Sequence, residues 1–489
     1  MLFNSIDFAI FLPVVFILYW FVVNKNLKIQ NLLIVTASYL FYSWWDWRFL
    51  ASILFITIVN YFVGLRLAKE QNEGKRKFLF YFGILINLSF LGFFKYYNFF
   101  QANFVSTFSF FGIEIKTNSL NIVLPIGISF YTFKTLSYLI DIYKKQLEPT
   151  PDFVAFSAFV SFFPQLVAGP IDRATTLLPQ FYNERVFDYD KAVNGLRQIL
   201  WGLFKKMVIA DNCAQYANLI FNNSTQYSGS TLILGTLFFA FQIYGDFSGY
   251  SDIAIGTARL LGFDLMRNFA YPYFSRDIAE FWRRWHISLS TWLRDYVFFP
   301  LRRKLLRQKN LPAWVVQSLP PLITMLVSGI WHGANWTFVI WGVLHGMYLI
   351  IENSFKPPLD RFFENFHSKL VSGFYQSFQI GLTFILVCLG WVFFRADSIA
   401  HAISILIKVF SKSILSIPQY EGWENSLLVM MLILSFTFIE WFGRENQYAI
   451  EQLGLDWPRP VRWVFYSSMI FSIGMFMQTT ETPFIYFRF

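Results

Sequence analysis

Apolar runs of bilayer-spanning length recur along this whole sequence, and few folds can accommodate so many of them. They occupy residues 8–23, 32–45, 50–67, 78–94, 120–142, 153–167, 231–244, 322–351, 378–394, 427–441 and 464–477. The chain is 55% hydrophobic and 21% aromatic with only 14% charged residues. Its mean hydropathy of +0.44 is far above that of a soluble globular domain. The expected fold is an all-α polytopic membrane protein with about eleven transmembrane helices.

The opening MLFNSIDFAIFLPVVFILYW lacks the basic start and small-residue cleavage site of a signal peptide, so it reads as a retained first span. Basic residues cluster after the first span (Lys25, Lys28), the third (Lys69, Lys75, Arg76, Lys77) and the fifth (Lys144, Lys145). The positive-inside rule then places these loops in the cytoplasm and the N-terminus outside. The balance of 40 basic against 30 acidic residues, +10 overall, fits inside-loop bias and attraction to anionic lipid, and argues against nucleic-acid binding. Two cysteines, Cys213 and Cys388, match no disulfide framework or zinc spacing and are expected to be buried and inert.

No internal repeat or long soluble segment is visible, so residues 1–489 read as a single membrane domain with short extramembrane pieces near 107–118, 144–153, 173–191, 355–372 and 417–425. The centre, residues 124–394, differs from both ends: Gly, Pro and polar residues interrupt its apolar runs, as in FFPQLVAGPIDR and FQIYGDFSGYSD. Broken helices survive at membrane depth only where protein or a water-filled cavity satisfies the freed backbone groups. A cavity is therefore expected in the centre.

Residues 275–309 carry nine basic and three acidic residues, with Ile278, Phe281, Trp282, Trp285, Leu289, Trp292 and Leu293 at helical spacing. This predicts an amphipathic interfacial helix, with Ser275 as N-cap and Asp277 in its first turn. Two roles fit it: a membrane anchor with snorkelling arginines, or a basic rim (Arg283, Arg284, Arg294, Arg302, Arg303) that attracts an acidic cytosolic donor. His286 lies at the edge of its apolar face.

The run SGIWHGANWTFVIWGVLHG, residues 328–346, places His332 and His345 inside an apolar span. Ionisable groups at that depth are costly and tend to line functional cavities. On a continuous helix, thirteen residues put the two rings about 20 Å and 140° apart, so they would not serve one atom. HGAN permits a kink or re-entrant turn with His332 at its apex. His332 is then the candidate general base, with an ordinary pKa suited to deprotonating a hydroxyl. His345, beside Gly342 and Gly346, equally fits a helix-packing hydrogen bond. Asp246 and Asp252 are candidates to orient a histidine, pair with arginine or cap a helix. Lys134 and Asp141 share a helix face and are expected to neutralise each other. No metal-ligand spacing, nucleophile elbow, Walker A loop or dinucleotide fingerprint occurs.

FWRRWHISLSTWLRDYVFFPL followed by SGIWHGANWTFVIWGVLHG resembles the membrane-bound O-acyltransferases, in particular the bacterial branch with the alginate O-acetylation and teichoic-acid D-alanylation membrane subunits. QLVAGPIDR, YGDFSGYSDIAIGTARLLGF, GWVFFRADS and the closing FIYFRF extend the likeness nearly end to end. The resemblance implies re-entrant and interfacial helices around a central funnel or tunnel, with N-terminal scaffold helices in 1–120, an acyltransferase core in 121–398 and C-terminal helices in 399–489. It implies that His332 and His286 are the catalytic positions, with His286 on the donor route. Asn335, His345, Asp246, Trp331 and Trp285 then line the substrate path or support the histidines. The implied co-substrate is an acyl thioester, acetyl-coenzyme A or an acyl carrier protein, with no permanent cofactor and no metal. The implied partners are that cytosolic donor, membrane lipids and an envelope-facing acetyltransferase of the serine-hydrolase-like kind. The location is the bacterial cytoplasmic membrane and the product an O-acetylated surface or secreted polysaccharide. The rival readings are a transporter or flippase, for which no paired interrupted halves are found, a D-alanyl-type transfer, and an inactive scaffold subunit.

Overall fold

The computed structural model describes residues 1–113, 115, 120, 122–167, 169–308, 310–364, 369–478 and 484–485. Regular structure among them is helical throughout: twenty α-helices and no strand. They pack as two compact units, Met1–Leu196 with Ala254–Met266, and Arg197–Ile253 with Arg267–Phe489.

The first unit contains α1 (Ile6–Ile17), α2 (Leu27–Ser43), α3 (Phe49–Lys69), α4 (Glu73–Phe110), α5 (Ile128–Tyr143), α6 (Phe153–Ser161), α7 (Phe163–Leu166) and α8 (Ala174–Leu177). Polar residues join its apolar helices from within. Asn60 of α3 and Asn87 of α4 exchange amide hydrogen bonds at 3.1 and 2.8 Å, and Thr135 of α5 donates to Asn87 at 2.8 Å. Such bonds hold where lipid offers no hydrophobic force between helices. The expected span 153–167 is two helices, because Phe162 turns out of helical geometry before Pro164; the freed amide of Phe163 donates to Ser38 Oγ at 3.1 Å. Lys134, expected to neutralise Asp141, has partners on other segments of the unit. It donates to the Phe159 carbonyl at 3.0 Å and to Gln165 Oε1 at 2.6 Å, and Gln165 in turn donates to Asp172.

The second unit begins within α9 (Tyr189–Phe204) and continues through α10 (Asp211–Asn222), the part of α11 (Gly229–Leu260) up to Ile253, α12 (Ile278–Arg284), α13 (Ile287–Leu293), α14 (Phe299–Leu306), α15 (Ala313–His332), α16 (Trp336–Glu364), α17 (Lys369–Arg395), α18 (Ile399–Val409), α19 (Trp423–Phe442) and α20 (Arg459–Phe476). Helices α15 and α16 form a tight hairpin. Gly342 of α16 makes this possible, since a methyl there would strike the carbonyl of Met325 on α15.

Seven helices among the described residues are long and apolar enough to cross a membrane: α3, α4, α11, α15, α16, α17 and α19. The run 322–351 supplies two of them, because it breaks after His332. The stretches 6–22 and 399–409 are shorter apolar helices. Helix α4 is only 17% buried over its apolar window and faces lipid widely, whereas α11 is 83% buried and enclosed by protein. The chain is a polytopic integral membrane protein.

Between α9 and α10 a wider π turn, Lys205–Ala210, presents two consecutive lysines to α11. Lys205 pairs with Asp252, while Lys206 lies 2.8 Å from both Asp211 and Asp246. Asp252 also accepts from Gln198 at 2.8 Å, and Asp246 accepts the backbone N–H of Ile485 at 2.7 Å. The partners of Asp246 and Asp252 seen among the described residues are thus lysines and amides. Both carboxylates lie inside α11, because buried lysines need carboxylates within reach. Cys213 is buried as expected; Cys388 is only half-buried.

Candidate active site

The expected continuous amphipathic helix is three helices. Its N-cap is Asp277, which accepts from the Glu280 N–H, rather than Ser275, whose hydroxyl donates to Pro272. Glu280 reaches back to the Arg276 N–H at 2.8 Å, a reciprocal cap. Burial alone would raise the Asp277 carboxyl, but the Lys356 hydrogen bond and charge hold it below the usual carboxylate range. Glu352 of α16 accepts from the Ile278 N–H at 2.7 Å, so the start of α12 is pinned to α16.

The helix breaks at Trp285 and His286. Trp285 is extended, and His286 adopts a left-handed backbone with φ of +42°. A side chain there costs about 1–2 kcal/mol unless surroundings impose it, and such strain concentrates at functional sites. Asn268 imposes it. Its carbonyl accepts from Ile287 N–H at 2.8 Å, its side-chain oxygen accepts from Ser288 Oγ at 2.9 Å, and its amide donates to Ser251 at 3.1 Å. The break turns the His286 ring into the protein, where it is fully buried and 4.6 Å from the Phe247 ring. Burial pushes its pKa down to about 3, so the imidazole is neutral at ordinary pH.

Helix α15 ends at His332; Gly333 is extended, and Asn335 caps α16 by accepting from the Thr337 N–H at 3.0 Å. The turn is a hairpin between two helices, so the geometry of a single continuous helix does not apply. The His332 and His345 rings instead both contact one indole, 4.9 and 5.0 Å from Trp341. Trp331 likewise contacts both His286 and His332, at 5.8 and 5.0 Å. Three histidines distant in sequence thus form one buried layer, His286, Trp331, His332, Trp341, His345, each ring at most 4% exposed. Trp285 and Trp391, 5.0 Å apart, back this layer. Of the two roles open to His345, the helix-packing hydrogen bond is not seen: both its ring nitrogens, like the indole N–H of Trp341, lack a hydrogen-bond partner among the described residues.

Two cavities lie close to the layer, although none of its five rings is among the residues that line them. One, about 600 Å³, is lined by Trp282, Arg283, Arg294, Thr324, Met325 and Ser328. The other, about 540 Å³, is lined by Gln242, Asn335, Thr337, Phe394, Arg395 and Asp397 among others. Ser328 lies one turn before His332, about 6 Å along α15, and Ala334 on the second cavity lies two residues after it. Trp282, on the first cavity, is 5.2 Å from His345; Phe394, on the second, is 5.2 Å from His332. Of the five expected rim arginines, Arg283 and Arg294 line the first cavity. Arg284 is paired with Glu280 at 2.6 Å, and Arg302 and Arg303 are exposed on α14 without lining it. Asn335 also donates to the Asp397 carbonyl at 3.0 Å.

The sequence reading missed Trp341, Trp391, Phe394, Asn268 and Gly390. The motifs contain all but Asn268, yet nothing in a linear pattern says that Trp341 contacts two histidines. Gly390 has a definite reason: a methyl there would stand 2.8 Å from His345 Nε2. Gly390→Ala is expected to cost about 1–3 kcal/mol by overpacking, read as a lower melting temperature in detergent. The loss should shrink when Gly390→Ala is combined with His345→Ala. An unchanged melt in the single variant would show that the ring has room to move.

The fold and the site define an all-helical membrane protein with three buried imidazoles packed in one aromatic layer. A model of the membrane-bound O-acyltransferase family matches residues 34–393, and the chain belongs to that family; it is an O-acyltransferase. It is 36% identical to a probable alginate O-acetylase AlgI of Pseudomonas putida over the full length of both chains. It is 39% identical to the corresponding Azotobacter vinelandii protein, over 92% of this chain and 86% of that one. A peptidoglycan O-acetyltransferase of Helicobacter pylori is 31% identical over 100% of this chain and 98% of its own.

Proposed function

We propose that this protein moves an acetyl group from a cytoplasmic thioester, acetyl-coenzyme A or an acyl carrier protein, through the bacterial inner membrane for O-acetylation of a cell-surface or secreted polysaccharide. What supports the reading is His332 with neighbours on two cavities of different character: Phe394, 5.2 Å from its ring, lines one, and Ser328, one turn before it on α15, lines the other. The arginine-rimmed cavity suits a phosphate-bearing donor arm, since Arg283 and Arg294 supply cations while Met325 and Trp282 supply apolar wall. The second cavity offers amide, hydroxyl and guanidinium groups to a hydroxyl acceptor. Relatives named for O-acetylation of alginate and of peptidoglycan support an acetyl group and a glycan as final acceptor.

In the proposed reaction a ring nitrogen of His332 takes the proton of the acceptor hydroxyl as its oxygen attacks the thioester carbonyl. The carbon–sulfur bond breaks, and the thiolate leaves and takes up a proton. His286, neutral and strained, holds Trp331 against His332 and lines the donor side. His345 buttresses Trp341. The two cavities become one tunnel when the Trp331, Trp341 and Phe394 rings rotate, which gives residues 121–398 the role of acyltransferase core. An envelope-facing serine-hydrolase-like acetyltransferase receives the group and delivers it to the polymer, and the N-terminus lies outside.

The test compares alkali-releasable acetate on envelope and secreted polysaccharides from cells with and without this chain. Loss of ester acetate from one polymer is expected. Equal acetate in every fraction would rule the reading out.

A further inference from the structure

At the shared end of α3 and α4, Arg66, Lys69 and Lys75 converge on a cavity of about 390 Å³ whose remaining walls are Glu70, Phe78 and Leu79. Three cations against one carboxylate leave the lining with two net positive charges. None of the three cations is ion-paired to a described residue, and Glu70 is occupied in accepting the Asn72 N–H at 2.8 Å. The neighbouring Arg76 is committed elsewhere: it donates to the Tyr143 carbonyl at 2.5 Å and lies 4.8 Å over that ring.

What adjoins the cavity is apolar and exposed. Phe78 stacks on Phe82 with centroids 6.0 Å apart, one turn further along α4. Phe62, one turn before Arg66 on α3, is 56% exposed, and Leu85 continues the α4 face at 64%. Both helices are long and apolar enough to cross the bilayer, so this track runs from a cationic pocket into hydrocarbon. A solvated loop would need only the charges; a pocket of cations with an aromatic floor and an apolar extension matches a ligand with an anionic head and acyl tails.

We propose that this pocket binds the phosphodiester headgroup of an acidic glycerophospholipid, phosphatidylglycerol in type, with its acyl chains along Phe62, Phe78 and Phe82. The site belongs to the first compact unit and uses no residue assigned to acyl transfer.

Native mass spectrometry of the purified full chain tests this, with phosphatidylglycerol or phosphatidylcholine added in matched amounts. Wild type is expected to retain phosphatidylglycerol preferentially. The Arg66→Gln/Lys69→Gln/Lys75→Gln variant should bind it about a hundredfold more weakly, at roughly fivefold per cation lost at a membrane surface. Phosphatidylcholine retention and the detergent melt should not change, since all three side chains are exposed. Equal retention of phosphatidylglycerol by the variant overturns the proposal, as does equal retention of both lipids by wild type. Displacement by inorganic phosphate as readily as by lipid would also overturn it, by making the pocket a soluble-anion site.

Discussion

His332→Ala is expected to lower acyl transfer by about 10²–10⁴-fold, the usual contribution of a positioned general base. The ring is 2% exposed and packed between Trp331, Trp341 and Phe394, so alanine also leaves a cavity in the aromatic layer. His332→Gln keeps most of the volume and removes the base, and should be nearly as inactive while melting close to wild type. His345→Gln provides the contrast. Its ring, which like that of His332 lines neither cavity, has no proton to move in the proposed reaction, so its loss should act through Trp341 and cost less activity than His332→Gln. A purified, folded His332→Gln protein that transfers acyl groups at the wild-type rate would remove His332 from the mechanism. That outcome would leave a transport or scaffold role as the better account of the two cavities.

Lys206→Met should be the most damaging single change to stability. The lysine is 1% exposed and lies 2.8 Å from two carboxylates, Asp211 and Asp246, themselves 6% and 3% exposed. Removing the cation strands two buried like charges, and breaking a buried pair in this way costs about 3–5 kcal/mol. The readouts are yield of folded protein and melting temperature in detergent. Because Asp246 also holds the Ile485 N–H, the variant should loosen the docking of that residue. Combining Lys206→Met with Asp211→Asn and Asp246→Asn should recover much of the loss, since the stranded charges are gone. If the single variant melts like wild type, the triad is not what holds this part of the unit together.

The fold class was legible because the bilayer restricts it: apolar runs of spanning length mean helices, whatever their packing. The break at His332 was legible for a related reason, since Gly and Asn interrupt an apolar run there, and α15 does end at that residue. Boundaries were less so. The run 322–351 looks like one segment by hydropathy, and only the extended Gly333 and the Asn335 cap make it two helices. The amphipathic stretch from 275 to 309 keeps helical periodicity through Trp285 and His286, yet the backbone there leaves the helix, because Asn268 competes for the amides of Ile287 and Ser288. Of the closing FIYFRF, residues 486–489 lie outside the described residues, and Phe484 and Ile485 are placed.

Composition and local pattern thus settle what each segment is: a membrane helix, a basic interfacial stretch, a break with a histidine at it. They do so because hydrophobic transfer and backbone satisfaction act on each segment separately. Which segments meet was decided by packing. His286, His332 and His345 share one layer only because two helix breaks and a close glycine contact bring them against Trp331 and Trp341. Asp246 and Asp252 answer to Lys206 and Lys205, 40 and 47 residues away. Such partners follow from three-dimensional complementarity and the cost of an unpaired buried charge, and neither has a signature at fixed spacing along the chain.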